Sequence, residues 1–260
     1  MAASDTGEHR PVRSTLRTLE ILEHLAQTSE RQSLGHLSRT LGIPKSSLHA
    51  ILRTMRDKGW IELDEASQRY GLGVRALLAG TAYVDSDDVA SIAGDTLDWL
   101  VRETGETVHL GRLDGPDIVY LAKRESNQTL RMFSAIGRRL PAYTTALGKA
   151  LLAHVPDDQL VDHLPEPLRA LTEQTITDPE ALRIELRWVY EHGYSLDREE
   201  NSEGVYCVAV ALPAEDPPQD ALSCSIPRMR FREAAVPEIV RALQKASEEI
   251  AARYQRRRHG

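Results

Sequence analysis

The sequence predicts a two-domain α+β chain: a small N-terminal winged helix-turn-helix unit, a linker helix, and a larger domain in which a mostly antiparallel sheet is flanked by helices. Three observations predict it. A Gly-Ile-Pro turn, Gly42 to Pro44, separates two short amphipathic helical patterns. Strand-like alternation recurs at 107–122, 204–212 and 221–226, with helical patterns between the first two runs and after the last. The charge also breaks: residues 1–75 carry 11 Lys and Arg against 9 Asp and Glu, while the whole chain has 32 against 39, so the acidic excess belongs to the second domain. With 260 residues, 41% of them hydrophobic, the chain can supply two separate cores.

Helical periodicity begins after Ser14, where Leu16, Leu19, Leu22 and Leu25 recur along one side of a segment reaching about Gln27. Ser33 can cap a short second helix whose apolar stripe is Leu34, Leu37 and Leu41, and Gly42 supplies the left-handed residue on which it ends. Pro44 suits the first position of a third helix, because its missing N–H has no intrahelical acceptor there and its fixed φ already fits the turn. That helix runs to about Lys58 and places Leu48, Ile51, Leu52 and Met55 on one narrow face.

Rotation about the helix axis then fixes the opposite face: Ser46, Ala50 and Arg53 at its centre, His49 and Thr54 beside them, Lys45 near the start, Arg56 and Lys58 near the end. Arg53 and His49 can donate to base-edge acceptors, Ser46 and Ser47 can bond phosphates or bases, and Ala50 admits a thymine methyl. A solvated face is the ordinary reading of one isolated amphipathic helix. A helix, a short capped helix, a tight turn and a third helix in succession make a helix-turn-helix instead, and favour a DNA duplex as partner. Ile61 to Leu63 alternate as a strand, Asp64 to Gln68 are turn formers, and Arg69 to Leu72 return, giving a hairpin wing from which Arg69 can reach a phosphate. Arg13, Ser33 and Pro44 complete the candidate DNA contacts.

Val74 to Val84 is an apolar helix that needs a partner. A helix follows through Ile92, Leu97, Leu100 and Val101, and Thr107 to Ala122 alternate around an Asp114-Gly115-Pro116 break, a strand hairpin. Ala146–His154, Pro179–His192 and Ala234–Tyr254 read as helices, and Gly204–Leu212 and Ala221–Ile226 as strands. Val205, Cys207, Ala209 and Ala211 share one strand face and the bulkier Tyr206, Val208, Val210 and Leu212 the other, so the first face leaves room. Ser223 and Ser225 also share a face, with Cys224 turned away. Thr144 or Thr145 can cap the helix at Ala146, leaving the N–H groups of Ala146 and Leu147 available to a carboxylate.

Several functions are disfavoured. Cys207 and Cys224 form no C-x-x-C pair and no His or Cys cluster has structural-zinc spacing, so no disulfide framework, metal or cofactor is expected. The first fifteen residues lack the apolar core of a secretory signal, and no run approaches the roughly 18 apolar residues of a membrane span, which predicts a soluble cytoplasmic protein with no membrane partner. ALGKALL is not a phosphate loop, since Tyr143 and Ala150 stand where that motif needs Gly and Ser or Thr. HGYSLD has Asp197 where a nucleophile elbow needs its second Gly, and Cys207 has no adjacent base. No catalytic residue is assigned. The alternatives are an enzyme of a small organic acid and a winged-helix adaptor that does not bind DNA.

The stretches STLRTLEILEHLA, LSRTLGIPKSSLHAILRTM, KGWIEL, RYGLG, RETGETVHLG, RLPAYTTALGKALLA, HGYSLDREENSEGVYCVAV and ALSCSIP, in this order, resemble the isocitrate lyase regulator (IclR) family of bacterial transcription factors from about Val12 to Tyr254. His36 departs from the acidic residue that often completes a capping box, and Gly71 from a longer polar residue in the wing. The resemblance implies a flexible arm at 1–13, a winged helix-turn-helix at 14–73, a linker and dimerisation helix at 74–88, a GAF-like α/β effector-binding domain at 89–256 and a tail at 257–260. It further implies a homodimer, or a tetramer, on a pseudo-palindromic operator. Met132, Leu140, Thr145, Ala146, Leu147, Asp197, Cys207, Ser223 and Ser225 would line the effector pocket. The expected ligand is a small organic acid, its carboxylate on the helix N-terminus and the two serines, and a hydroxyl donating to Asp197.

Overall fold

The computed structural model describes residues 11–28, 30–128 and 134–259, and the chain divides into two compact units after Tyr83. In the first unit, helices α1 (Arg13–Gln27), α2 (Leu34–Thr40) and α3 (Lys45–Asp57) enclose Ile21, Leu25, Leu37, Ile43, Leu48, Leu52 and Met55, and strand β2 (Ile61–Asp64) adds Ile61 to this core. The buried ridge of α1 is thus Ile21 and Leu25. Leu16 and Leu19, expected on that stripe, are exposed. Ser33 caps α2, its Oγ accepting the His36 N–H at 3.2 Å, and Gly42 takes φ of 63° at the turn.

The wing has three strands rather than the expected two. Strand β1 (Gln32–Ser33) pairs antiparallel with β3 (Arg69–Leu72), which also pairs with β2. Two residues are too few to show alternation, so β1 exists only through its partner. Gly73 closes the unit: its N–H donates to the Trp60 carbonyl at 2.8 Å, and a Cβ there would lie 2.4 Å from the Gly59 oxygen. Helix α4 (Val74–Ser86) has no buried residue among those described, and Val74, Leu77, Leu78 and Tyr83 are all more than half exposed.

In the second unit, Asp87 caps α5 (Asp88–Thr104) by accepting the Ala90 N–H at 2.8 Å. Strands β4 (Thr107–Asp114), β5 (Asp117–Arg124), β6 (Arg139–Pro141), β7 (Ser195–Arg198), β8 (Val205–Ala211) and β9 (Asp220–Pro227) form one antiparallel sheet in the order β6-β5-β4-β9-β8-β7. Helices α5 and α8 (Val236–His259) cover one face, burying Leu97, Leu100, Leu243 and Ile250 against Val208, Val210, Leu222 and Cys224. The other face meets α6 (Ala146–Leu152), where Leu147 and Leu151 pack on Ile118, Ala209 and Ala221, with α7 (Pro179–His192) outside it. The strand asymmetry read from the sequence is therefore the partition between the two faces: bulky residues toward α5 and α8, small ones toward α6.

Strands β6 and β7, three and four residues long, were not expected from the sequence. Helix α8 continues to His259, through most of the stretch expected as a tail at 257–260. There Arg257 pairs with Asp88 at 3.2 Å and Arg258 with Glu215 at 3.3 Å. Both anchors come from distant elements, which no local pattern reveals. No helix among the described residues is long and apolar enough to cross a membrane.

Candidate functional site

The first candidate surface is the outward side of α3. Lys45, Ser46, His49, Ala50 and Arg53 are exposed, as is Pro44 just before the helix, and Ser47 is half-buried. This follows from the opposite stripe, Leu48, Leu52 and Met55, being enclosed by α1 and α2. Lys45 and Arg53 make no ion pair among the described residues, so their charges face solvent. Arg13 is exposed at the start of α1. Arg69 on the wing is exposed and donates to the Arg31 carbonyl at 3.3 Å, while Arg31 itself pairs with Glu62 at 3.2 Å. Ser33 is half-buried and already serves as a cap, which leaves its hydroxyl proton, but not a free side chain, for any further contact.

The second is a cavity on the α6 side of the large sheet. Its lining includes Leu140, Thr145, Ala146, Leu147, Asp197, Cys207, Ser223 and Ser225, eight of the nine residues expected there. Met132, the ninth, lies outside the described residues. Strand register assembles one wall: Asp197 on β7 faces Cys207 on β8, Cys207 faces Ser225 on β9, and Ser225 faces Thr107 on β4. A second row runs Ala209, Ser223, His109 and Lys123 across β8, β9, β4 and β5. Polar residues at alternate positions of four strands thus reach one face.

Helix α6 supplies the other wall. Thr145 caps it, its Oγ1 accepting the Gly148 N–H at 2.9 Å, while Thr144 bonds the Pro141 carbonyl instead. The first turn, Ala146 and Leu147, borders the cavity with backbone N–H groups that have no acceptor one turn earlier. Ser195 on β7 donates to the Ala146 carbonyl at 2.5 Å and pins this end of the helix to the sheet. Gly148 is required at this junction, because a Cβ there would fall 2.0 Å from the Ala142 oxygen.

Seven lining residues were missed by sequence reasoning, among them His109, Tyr120, Ser134, Arg138 and Asn201. The His109 ring stacks on Tyr120 at 4.5 Å, with Nε2 at 2.8 Å from Ser134 Oγ and Nδ1 at 3.4 Å from Ser225 Oγ. Its place was readable, since Thr107, His109 and Gly111 alternate within the predicted hairpin. That this face is the one opposite Ser223 was not, because pairing between strands a hundred residues apart leaves no local trace.

Electrostatics in the cavity follow from burial. Burial and the nearby Lys123 push His109 down to about 4, so its ring is neutral near pH 7. Burial and then Glu200 push Asp197 up to about 7, against the hydrogen bonds that its Oδ1 accepts from the Glu200 N–H at 2.7 Å and the Asn201 N–H at 3.4 Å. Asp197 thus both ends β7 in a turn and faces the cavity. Burial, with Asp197 adding to it, holds the Cys207 thiol protonated, consistent with a wall residue and not a nucleophile. Behind the turn, Lys149 Nζ lies 2.6 Å from Glu200 Oε1 and 2.9 Å from Glu185 Oε1.

The arrangement offers donors, acceptors and a perturbed carboxylate around a cleft. It is suited to binding. Comparison with known proteins agrees. The family profile described as "Bacterial transcriptional regulator IclR C-terminal" matches residues 81–252, and that described as "IclR helix-turn-helix domain" matches residues 14–65. The chain is 37% identical over 243 residues to the HTH-type transcriptional regulator KdgR of Escherichia coli K12, covering 93% of this chain and 92% of that protein. It is 30% identical over 256 residues to the transcriptional repressor IclR of the same organism, covering 97% and 92%. Among solved structures, an IclR transcriptional regulator from Alicyclobacillus acidocaldarius superposes with a TM-score of 0.83 at 26% identity, covering 94% of this chain and all of that one.

Proposed function

The chain belongs to the IclR family of bacterial transcriptional regulators, a DNA-binding regulator rather than an enzyme, and on that premise we propose how its parts divide the work. The outward side of α3, with Arg53 at its centre, enters the major groove, where Arg53 and His49 meet base edges and Lys45, Ser46 and Ser47 meet phosphates or bases. Arg13 and Arg69 add backbone contacts to either side. Two such helices act together. The four exposed apolar residues of α4 support self-association through this helix, which would set two recognition helices about one DNA turn apart on a pseudo-palindrome.

The effector is a small organic acid held in the cavity beside α6. Its carboxylate meets the N–H groups of Ala146 and Leu147 and the hydroxyls of Ser223 and Ser225, and a polar oxygen at its other end meets Asp197. The observation that carries this reading is the convergence of two serines, the first turn of α6 and a buried carboxylate on one enclosed space. Binding the acid unequally in two arrangements of the dimer shifts their populations, and α4 carries the difference to the spacing of the recognition helices.

The test is a gel shift of fragments beside the protein's own gene, with and without a panel of hydroxy, keto and aromatic acids. Arg53→Ala is expected to weaken the shift by about 5- to 150-fold, the roughly 1–3 kcal/mol of a good base contact. Calorimetric titration with the same acids is expected to lose its signal in Asp197→Ala and Ser225→Ala. No sequence preference in dilute salt would end the operator assignment, and binding indifferent to both pocket substitutions would end the effector assignment.

A further inference from the structure

The pocket's charges do not balance, and the imbalance says how an anion enters it. Asp197 is 3% exposed and Glu200, three residues on in the same turn, 4% exposed. Lys149 is fully enclosed, and its one ammonium is shared by Glu200 and Glu185. Glu200 Oε2 is buried without a hydrogen-bond partner among the described residues. Three carboxylates therefore face one cation, which bonds Glu185 and Glu200 and attracts Asp197 only through space.

The strand groups that line the cavity beside Asp197 are uncharged, and Lys123 on β5 is engaged by the Ser134 carbonyl and by Glu125. His109 on β4 is neutral and engaged with serine hydroxyls. Tyr120 on β5 and Cys207 on β8 are held protonated by burial, and β9 offers only the hydroxyls of Ser223 and Ser225. Arg198, beside Asp197 on β7, is exposed, and the exposed Arg138 brings a positive charge to the rim, where it acts on Tyr120 and not through any bond to the Asp197 turn. An acid anion in this cavity would sit next to a second anion in a poorly solvated space, an arrangement in which one of the two carboxylates takes up a proton.

We propose that the pocket takes its acid anion together with one proton carried by Asp197, so that the regulator senses the acid and the pH jointly. The inference rests on the effector reading above and fixes the direction of one bond in it. Asp197 Oδ1 already accepts two backbone N–H groups, so the proton sits on Oδ2 and is donated to an oxygen of the acid. The balance is simple: one anion and one proton leave solvent, and no covalent bond other than O–H is made. Above the pH at which Asp197 ionises in the free protein, the affinity for the anion falls about tenfold per pH unit.

Two measurements on the full-length chain test this. Carboxyl carbon-13 NMR of the ligand-free protein, with Asp197→Asn to assign the signal, is expected to show Asp197 still protonated well above the ordinary carboxylate range. Titration near pH 4 would overturn the proposal. Calorimetry at about pH 8 in phosphate and in Tris, with the acid of the panel that binds most tightly, is expected to show about one proton taken up per site. Asp197→Asn should abolish that uptake and flatten the pH dependence of affinity. Binding with no proton uptake in the natural chain would also overturn it. If no acid of the panel binds, the effector reading fails on its own account, and the NMR titration alone decides where the Asp197 proton resides.

Discussion

The Lys149 ammonium, fully enclosed, lies 2.6 Å from Glu200 Oε1 and ties helix α6 to the turn that follows β7. The same turn sends the Glu200 and Asn201 N–H groups to Asp197, while Asn201 Nδ2 donates to Thr144 Oγ1 at 2.7 Å. Both walls of the cavity thus hang on one buried pair. Lys149→Met is expected to destabilise the protein by about 3–5 kcal/mol, because it strands a buried carboxylate. Adding Glu200→Gln should recover much of the loss. Urea unfolding measures both, and an unchanged midpoint for the single variant would show that the pair holds nothing together.

His109 makes stability depend on pH in a known direction. Burial lowers its pKa from 6.5 to about 4, so between these values the unfolded chain binds more protons than the folded one. Its contribution is full above about pH 6.5 and is lost as pH falls toward 4. In His109→Gln, the slope of unfolding free energy against pH should flatten within that window and stay unchanged above it. A slope identical to that of the natural chain would show that the ring is not held neutral.

The exposed apolar side of α4 gives a separate expectation. Leu77→Glu combined with Leu78→Glu replaces two residues that are 64% and 61% exposed, so the fold of a single chain should be unaffected. The self-association proposed through α4 should not survive it. Sedimentation should then report a monomer, with operator affinity falling by a factor of ten or more, whereas a dimer of undiminished stability would move the association surface elsewhere.

Gly148→Ala should disrupt the pocket from within α6. The added Cβ would lie 2.0 Å from the Ala142 carbonyl oxygen, a backbone atom that cannot turn aside, so a cost of roughly 2–3 kcal/mol is expected. Thermal melting reads the stability, and titration with acids should show weaker binding, since Ala146 and Leu147 sit on the displaced turn. A variant as stable as the natural chain would mean that the junction before α6 is pliable.

Much of this molecule was legible before any coordinates, and the reason is local. Ser33, Gly42 and Pro44 punctuate helices whatever surrounds them, and Leu48, Leu52 and Met55 define a buried stripe by spacing alone, so the exposure of Arg53 followed by geometry. The alternation in β8 and β9 likewise told which residues would share a face. Where the signal was shorter than its period, as in β1, β6 and β7, no pattern existed to read.

By itself, then, the sequence determined the helix-turn-helix, the outward-facing chemistry of its third helix and the two-faced character of the large sheet, because propensity and periodicity act between residues a few positions apart. Only the tertiary structure decided that Asp197, Cys207, Ser225 and Thr107 stand in one row, that Lys149 serves two glutamates, and that His109 is neutral. Register between distant strands and the loss of water around a charge belong to the packed molecule, and a linear pattern carries neither.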